Sequence, residues 1–413
     1  MCLQDDIALV SAPHFSFNQY QDADGIVYVY LQDFGHWTLI RSITDIDYAD
    51  QFGLAMAVHT DYFTVIGSPN ANKYGDKSGT VYYLYVESNP YKTQMQAKQV
   101  VQSERHEGAG FGSSVAVGLV NNEVTVAVGA PRHRGRGAVF TYTRQEDGSL
   151  SNEEILYPSD EEFGPKSFGT GVQVGYDMVV GGAPGGKRGF AYVFQRGTGQ
   201  TSFSEAAVLE GINGYTDDND DYSYQEFEKN LKQTEEFGAA ISIGDGYLFV
   251  GAPYAYSQSD SGGNYGSVSI FTYSSGTDGP NSDFDLFQTL FPDHLPASGL
   301  RSFFGSTMSY SSDETRLAIG SPYGEYPSTS LGYVTLYVLD STAAVPGFYQ
   351  EALLGVDGFK PEENSGDLQR YGETERAGFG SSVAVFGGYV LAGAPQGASH
   401  YGDAYFFRAH DVG

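Results

Sequence analysis

The stretch Ala377–Pro395, AGFGSSVAVFGGYVLAGAP, repeats a phrase already used at Ala109–Pro131, AGFGSSVAVGLVNNEVTVAVGAP. Both begin with the same nine residues, and both end Gly-Ala-Pro. Between those ends lie two apolar, β-branched segments separated by a short polar turn, the pattern of a β-hairpin. In looser form the phrase runs along the whole chain. An aromatic-Gly pair stands at Phe52-Gly53, Phe111-Gly112, Phe168-Gly169, Phe237-Gly238, Phe304-Gly305 and Phe379-Gly380. A small-small-Pro triplet follows each, ending at Pro69, Pro131, Pro184, Pro253, Pro322 and Pro395, and a seventh triplet, Ser11-Ala12-Pro13, stands near the start.

The triplet prolines stand 53 to 73 residues apart, and self-similarity at such a period marks a repeat architecture. Each unit reads as four short strands rich in Val, Tyr and Phe. In the third unit these are SSVAV, EVTVAVGAP, GAVFTYTR and a weaker segment near EEILYP. Glycine allows close backbone approach, the aromatic before it can wedge between neighbouring sheets, and proline ends the pairing because it has no N–H to donate. Four-stranded antiparallel sheets repeated radially make a β-propeller. The expected fold is therefore all-β: one seven-bladed propeller over residues 1–413, with blades at about 5–46, 47–104, 105–158, 159–212, 232–292, 300–355 and 374–413. The first repeat lacks an evident strand one and the last an evident strand four. Completion of those two blades by residues outside this chain, or by a neighbouring molecule, is the expectation that follows, with the last blade closing the ring against the first.

The repeat resembles FG-GAP, the unit of the integrin α-subunit propeller, over essentially the whole chain. The resemblance implies an extracellular or cell-surface protein without enzymatic activity that mediates adhesion or assembly. Its partner would be a protein or glycan engaged through the face bearing the two-to-three and four-to-one loops. Two alternatives stand beside it: a glycan-binding propeller module of a carbohydrate-active or lipid-hydrolysing enzyme, and a structural subunit of a surface filament.

Composition narrows the partners. Net charge is −29, from 51 acidic against 22 basic residues, a balance that repels nucleic acid and anionic lipid. No apolar run is long enough to span a membrane. The single cysteine permits no internal disulfide.

Candidate sites lie in loops. The basic run Arg132, His133, Arg134 and Arg136 follows the third triplet and is expected to face solvent on the long-loop face as a partner contact. Tyr254, Tyr256, Tyr323 and Tyr326 follow the fifth and sixth triplets and could stack on a sugar or a protein. Integrin propellers carry calcium in loops between strands one and two. Those loops here lack the required acidic spacing, so neither calcium nor any other cofactor is expected. Weak acidic candidates elsewhere are Asp22, Asp24, Asp217, Asp218, Asp220 and Asp221. No HExxH, GxSxG or P-loop motif occurs, and no catalytic residue is assigned.

Overall fold

In a computed structural model the repeats form seven antiparallel sheets. The structure describes residues 1–15, 24–34, 36–44, 51–72, 75–84, 97–100, 102–159, 167–185, 189–211, 235–255, 265–274, 283–292, 302–324, 332–355, 378–395 and 402–408. Blade one comprises β1 (Cys2–Gln4), β2 (Ile7–Ala12), β3 (Ile26–Asp33) and β4 (His36–Thr44). Blade two comprises β5 (Met56–Val58), β6 (Thr64–Ser68), β7 (Thr80–Leu84) and β8 (Ala97–Gln99). Blade three comprises β9 (Ser114–Val120), β10 (Glu123–Ala130), β11 (Ala138–Arg144) and β12 (Leu150–Leu156). Blade four comprises β13 (Val172–Gly175), β14 (Met178–Ala183), β15 (Phe190–Gln195) and β16 (Ser204–Glu210). Blade five comprises β17 (Ala240–Gly244), β18 (Tyr247–Ala252), β19 (Ser267–Tyr273) and β20 (Phe284–Leu290). Blade six comprises β21 (Thr307–Ser311), β22 (Arg316–Ser321), β23 (Tyr333–Asp340) and β24 (Gly347–Gly355). Blade seven comprises β25 (Ser382–Phe386), β26 (Tyr389–Ala394) and β27 (Asp403–Arg408). Among the described residues the only helix is a 3₁₀ turn at His133–Gly135.

Each sheet is ordered as the chain runs, with every strand paired to the next. The first strands, β1, β5, β9, β13, β17, β21 and β25, each touch the next, and β25 touches β1. They therefore make a closed inner ring.

The two sequence motifs meet at the six junctions from blade one to blade seven. All six motif phenylalanines are buried, and each joins a core cluster drawn from the two blades it separates. Phe111, for example, packs with Val65 and Val81 of blade two and with Val126 and Phe140 of blade three. From blade two onward the glycine after the aromatic lies against the triplet glycine of the preceding blade, whereas Gly53 lies against Ser11 of blade one. A Cβ on Gly129 would stand 2.0 Å from the carbonyl oxygen of Gly169, and one on Gly182 would stand 1.8 Å from that of Gly238. Those separations are far inside van der Waals contact, so two backbones share a space that admits no side chain.

Blade one departs from the sequence expectation. Cys2–Gln4 forms its first strand, with Leu3 opposite Ala8. No outside residue is needed at that position. Three residues without alternation gave no pattern to read, and the strand is held by tertiary burial of Leu3 against blade seven. At this junction no Phe-Gly pair is present, and the Met1 side chain lies against Gly393 instead, where an added Cβ would meet its Cε at 2.7 Å. Blade seven shows three strands among the described residues, and residues 409–413 lie outside them. It lies next to blade one, as the repeat implied. Leu3 and Ala8 are buried against Ala384 and Leu391. Trp37 stacks on Phe406 at 5.0 Å, and Gln32 Nε2 donates to the Tyr389 hydroxyl at 2.9 Å.

Candidate functional site

Strand direction fixes two faces. Turns one-to-two and three-to-four leave on one, and the longer two-to-three and four-to-one connections leave on the other. Among the described residues each face carries a polar constellation able to meet a ligand.

On the short-turn face a groove of about 710 Å³ opens between blades three and four. Its wall is the outward end of the blade-three sheet, where Thr125 on β10 pairs with Thr143 on β11, and Thr141 with Glu154 on β12. All three threonines are buried. β-branched threonine fits a strand as well as valine does, so the sheet forms normally while placing hydroxyls on this wall. Thr125 and Thr141 donate to the backbone carbonyls of Glu123 and Glu154, each only at 3.4 Å. Such long bonds leave most of the hydroxyls' bonding capacity unused.

The opposite wall is the turn between β15 and β16, residues 196–203. Arg196 is ion-paired to Glu123 at 2.7 Å, and its guanidinium lies 5.2 Å from the centre of the Phe203 ring. The Asn121 amide donates to the Arg196 carbonyl at 2.8 Å, so the one-to-two turn of blade three fixes this arm. Glu154 accepts the Phe203 backbone N–H at 2.9 Å. Burial raises the Glu154 pKa, although that hydrogen bond and the nearby Arg196 pull it down. The groove thus offers hydroxyls, carboxylates, a guanidinium and the edge of an aromatic ring. Those groups suit a ligand rich in hydroxyls.

On the long-connection face the basic run behaves in two ways. Arg132, Arg134 and Arg136 are exposed, as the sequence implied, while His133 is buried at 1 % exposure. The backbone explains the split. Arg134 has φ +47°, and Gly135 and Gly137 are also left-handed, at +73° and +94°. This tight turn throws the arginines outward and the imidazole inward, edge-on to Phe140 at 5.2 Å. His133 Nε2 lies 3.2 Å from the Tyr157 hydroxyl and 3.5 Å from Glu104 Oε2. Burial, and then neighbouring His106, lower the His133 pKa against the pull of Glu104. Arg134 pairs with Glu104 at 2.6 Å, and Arg132 Nε donates to the Gly108 carbonyl at 2.7 Å.

Glu104, His106 and His133 can bring one ligand atom each to within 4.8 Å of one another, so they could hold a metal ion. Sequence reading missed them. The Glu104-x-His106 spacing was a legible signal, but His133 stands 27 residues later and read as part of a basic run.

The other sequence candidates are dispersed. Tyr254 and Tyr323 both lie edge-on to Phe303, at 4.8 and 5.2 Å, in a small aromatic cluster on the long-connection face. Asp24 lies just before β3, away from any acidic cluster among the described residues. Tyr256, Tyr326, Asp22, Asp217, Asp218, Asp220 and Asp221 lie outside the described residues. No helix among the described residues is long and apolar enough to cross a membrane.

No protein-family model matches the chain. In sequence it is similar to integrin alpha-3 of Mus musculus, 32% identical over 179 residues, and to that of Cricetulus griseus, 30% identical over 178 residues. Each match covers 40% of this chain and 16% of the integrin, so the chain spans only a small part of those relatives. In shape it is similar to a putative 6-phosphogluconolactonase from Bacteroides uniformis, with TM-score 0.55, 10% identity and coverage of 98% of this chain and 100% of that one. The periplasmic gluconolactonase of Pseudomonas aeruginosa gives TM-score 0.51 and 14% identity, covering 98% and 99%. These identities establish a shared fold. The expectation of a protein without enzymatic activity is corrected to this extent: the two solved propellers of this shape are named as enzymes, so the fold gives that expectation no support. The chain is a seven-bladed β-propeller with repeats like those of integrin alpha subunits.

Proposed function

We propose that this propeller binds a glycan or a sugar-derived ligand in the groove between blades three and four, as the recognition module of a carbohydrate-active protein. The observation that carries the reading is the row of buried hydroxyls of Thr125, Thr141 and Thr143 beside Glu154, Arg196 and Phe203. Buried hydroxyls with weak internal bonds are costly to maintain, and a hydroxyl-rich ligand would satisfy them. The lactonase names of proteins with this shape favour a sugar-like ligand over a peptide.

The test is a glycan array followed by calorimetry with the double variant Thr141→Val and Thr143→Val. Valine keeps the shape and removes the hydroxyls. Affinity is expected to fall roughly tenfold or more, about 1.4 kcal/mol, with the melting temperature unchanged or raised. A double variant that binds the same glycan as tightly as the parent would contradict the reading.

A second reading has its own support. The similarity to integrin alpha subunits and the exposed Arg132, Arg134 and Arg136 favour adhesion to a partner at a cell surface through the long-connection face. The two readings use opposite faces and are separable by experiment.

A further inference from the structure

We propose that Glu104, His106 and His133 form a zinc-class metal site at the junction of blades two and three, with an open fourth position. This inference is independent of the glycan reading, since it lies on the opposite face.

Three observations converge on it. The first is the donor set. Two imidazoles and one carboxylate suit Zn²⁺ and its neighbours, whereas Ca²⁺ takes six to eight oxygens. The second is geometry. The three donor atoms lie within 4.8 Å of one another, and His133 Nε2 is 3.5 Å from Glu104 Oε2. Metal bonds of about 2.1 Å at tetrahedral angles put ligand atoms about 3.4 Å apart, so one pair already has the required separation. The remaining adjustment falls on Glu104 and His106, which sit in the connection between β8 and β9 and not in a strand.

The third observation is the surrounding support. His133 is locked by burial between the rings of Phe140 and His106, the latter at 4.5 Å. The Tyr157 hydroxyl contacts the donor atoms themselves, His133 Nε2 at 3.2 Å and Glu104 Oε2 at 3.4 Å, and must give way to an ion, whereas Arg134 holds the Glu104 carboxylate in place at 2.6 Å. Ligands oriented by a neighbouring hydrogen bond are the usual arrangement around a protein-bound metal.

Without metal the same groups form a Tyr157–His133–Glu104–Arg134 network, which is the competing account. The two differ in what happens when metal is added. With three protein ligands, water would occupy the fourth position. The ion would tie the connection entering blade three to the turn between β10 and β11.

The chelator-treated protein is titrated with Co²⁺ and followed in the visible range, then with Zn²⁺ by calorimetry. One equivalent is expected, with the intense visible absorption of tetrahedral cobalt, and Zn²⁺ is expected to displace it. His106→Gln and Glu104→Gln should each weaken binding roughly tenfold or more. His106 and Glu104 are only half-buried, so both variants are expected to fold, and the parent melting curve checks this. Zn²⁺ should raise the melting temperature of the parent, whereas Ca²⁺ should leave it unchanged. Failure of the parent to take up Co²⁺, or equal uptake by the parent and the folded His106→Gln variant, would overturn the assignment and leave a metal-free hydrogen-bond network.

Discussion

Gly182→Val is expected to destabilise the protein by about 3 kcal/mol or more, or to prevent folding altogether. Gly182 lies in β14, fully buried, where its triplet meets the Phe237-Gly238 pair of the next blade. A Cβ there would be 1.8 Å from the Gly238 carbonyl oxygen and 2.8 Å from its carbonyl carbon. Both atoms are backbone, so no rotamer change relieves the overlap. Gly238 cannot retreat either. It has φ +92°, donates its N–H to the Gly251 carbonyl at 3.0 Å, and would itself place a Cβ 2.2 Å from the Phe190 oxygen. Blades four and five would have to separate, opening the cluster that buries Phe237 with Val180, Val193 and Val250. Gly175 supplies the contrast. It ends β13 with nothing within 4 Å of its missing Cβ. Gly175→Ala is expected to be neutral or to stabilise by about 0.4–1 kcal/mol through the unfolded chain. The check is the chemical denaturation midpoint of both variants. Equal midpoints would mean that the motif glycines do not set the spacing between blades.

Removal of residues 372–413 is expected to abolish the single cooperative unfolding transition. Blade seven covers apolar surface on both sides. Toward blade one it buries Leu3 and Ala8 and stacks Phe406 on Trp37. Toward blade six its Phe379, Val383 and Val385 pack on Ala318, Val334 and Leu336. Without it two blade faces meet water and the inner ring is open between β21 and β1, a surface prone to association. Leu391→Ala is the milder version, expected to cost about 2–5 kcal/mol because Leu391 is fully buried at the closing junction. Calorimetric melting measures both. A truncated chain that melts cooperatively at the parent temperature would show that the blades do not depend on closure.

The fold was legible because its energetics are written in repeated residues. Six Phe-Gly pairs and seven triplets mark the junctions, and where glycine meets glycine the contact admits no Cβ and so no substitution that would hide it. Strand β1 was not legible, since its formation depends on blade seven, nearly 400 residues away. The site was less legible than the fold for three physical reasons. Thr125, Thr141 and Thr143 read as ordinary strand residues, because β-branching suits a strand whether the outer group is a methyl or a hydroxyl. His133 read as one member of a basic run, and only the left-handed turn at Arg134 separates it from its exposed neighbours. Long loops drew attention to one face, while the groove lies on the other and is made by short turns.

Hydrogen–deuterium exchange on the protein with and without a glycan selected from the array tests the central claim most directly. Protection is predicted in β10–β12 and in the 196–203 turn, with little change across the basic run and the aromatic cluster around Phe303. Protection confined to the basic run and the Phe303 cluster, with none in β10–β12, would contradict the groove as the binding site and favour the adhesive face instead.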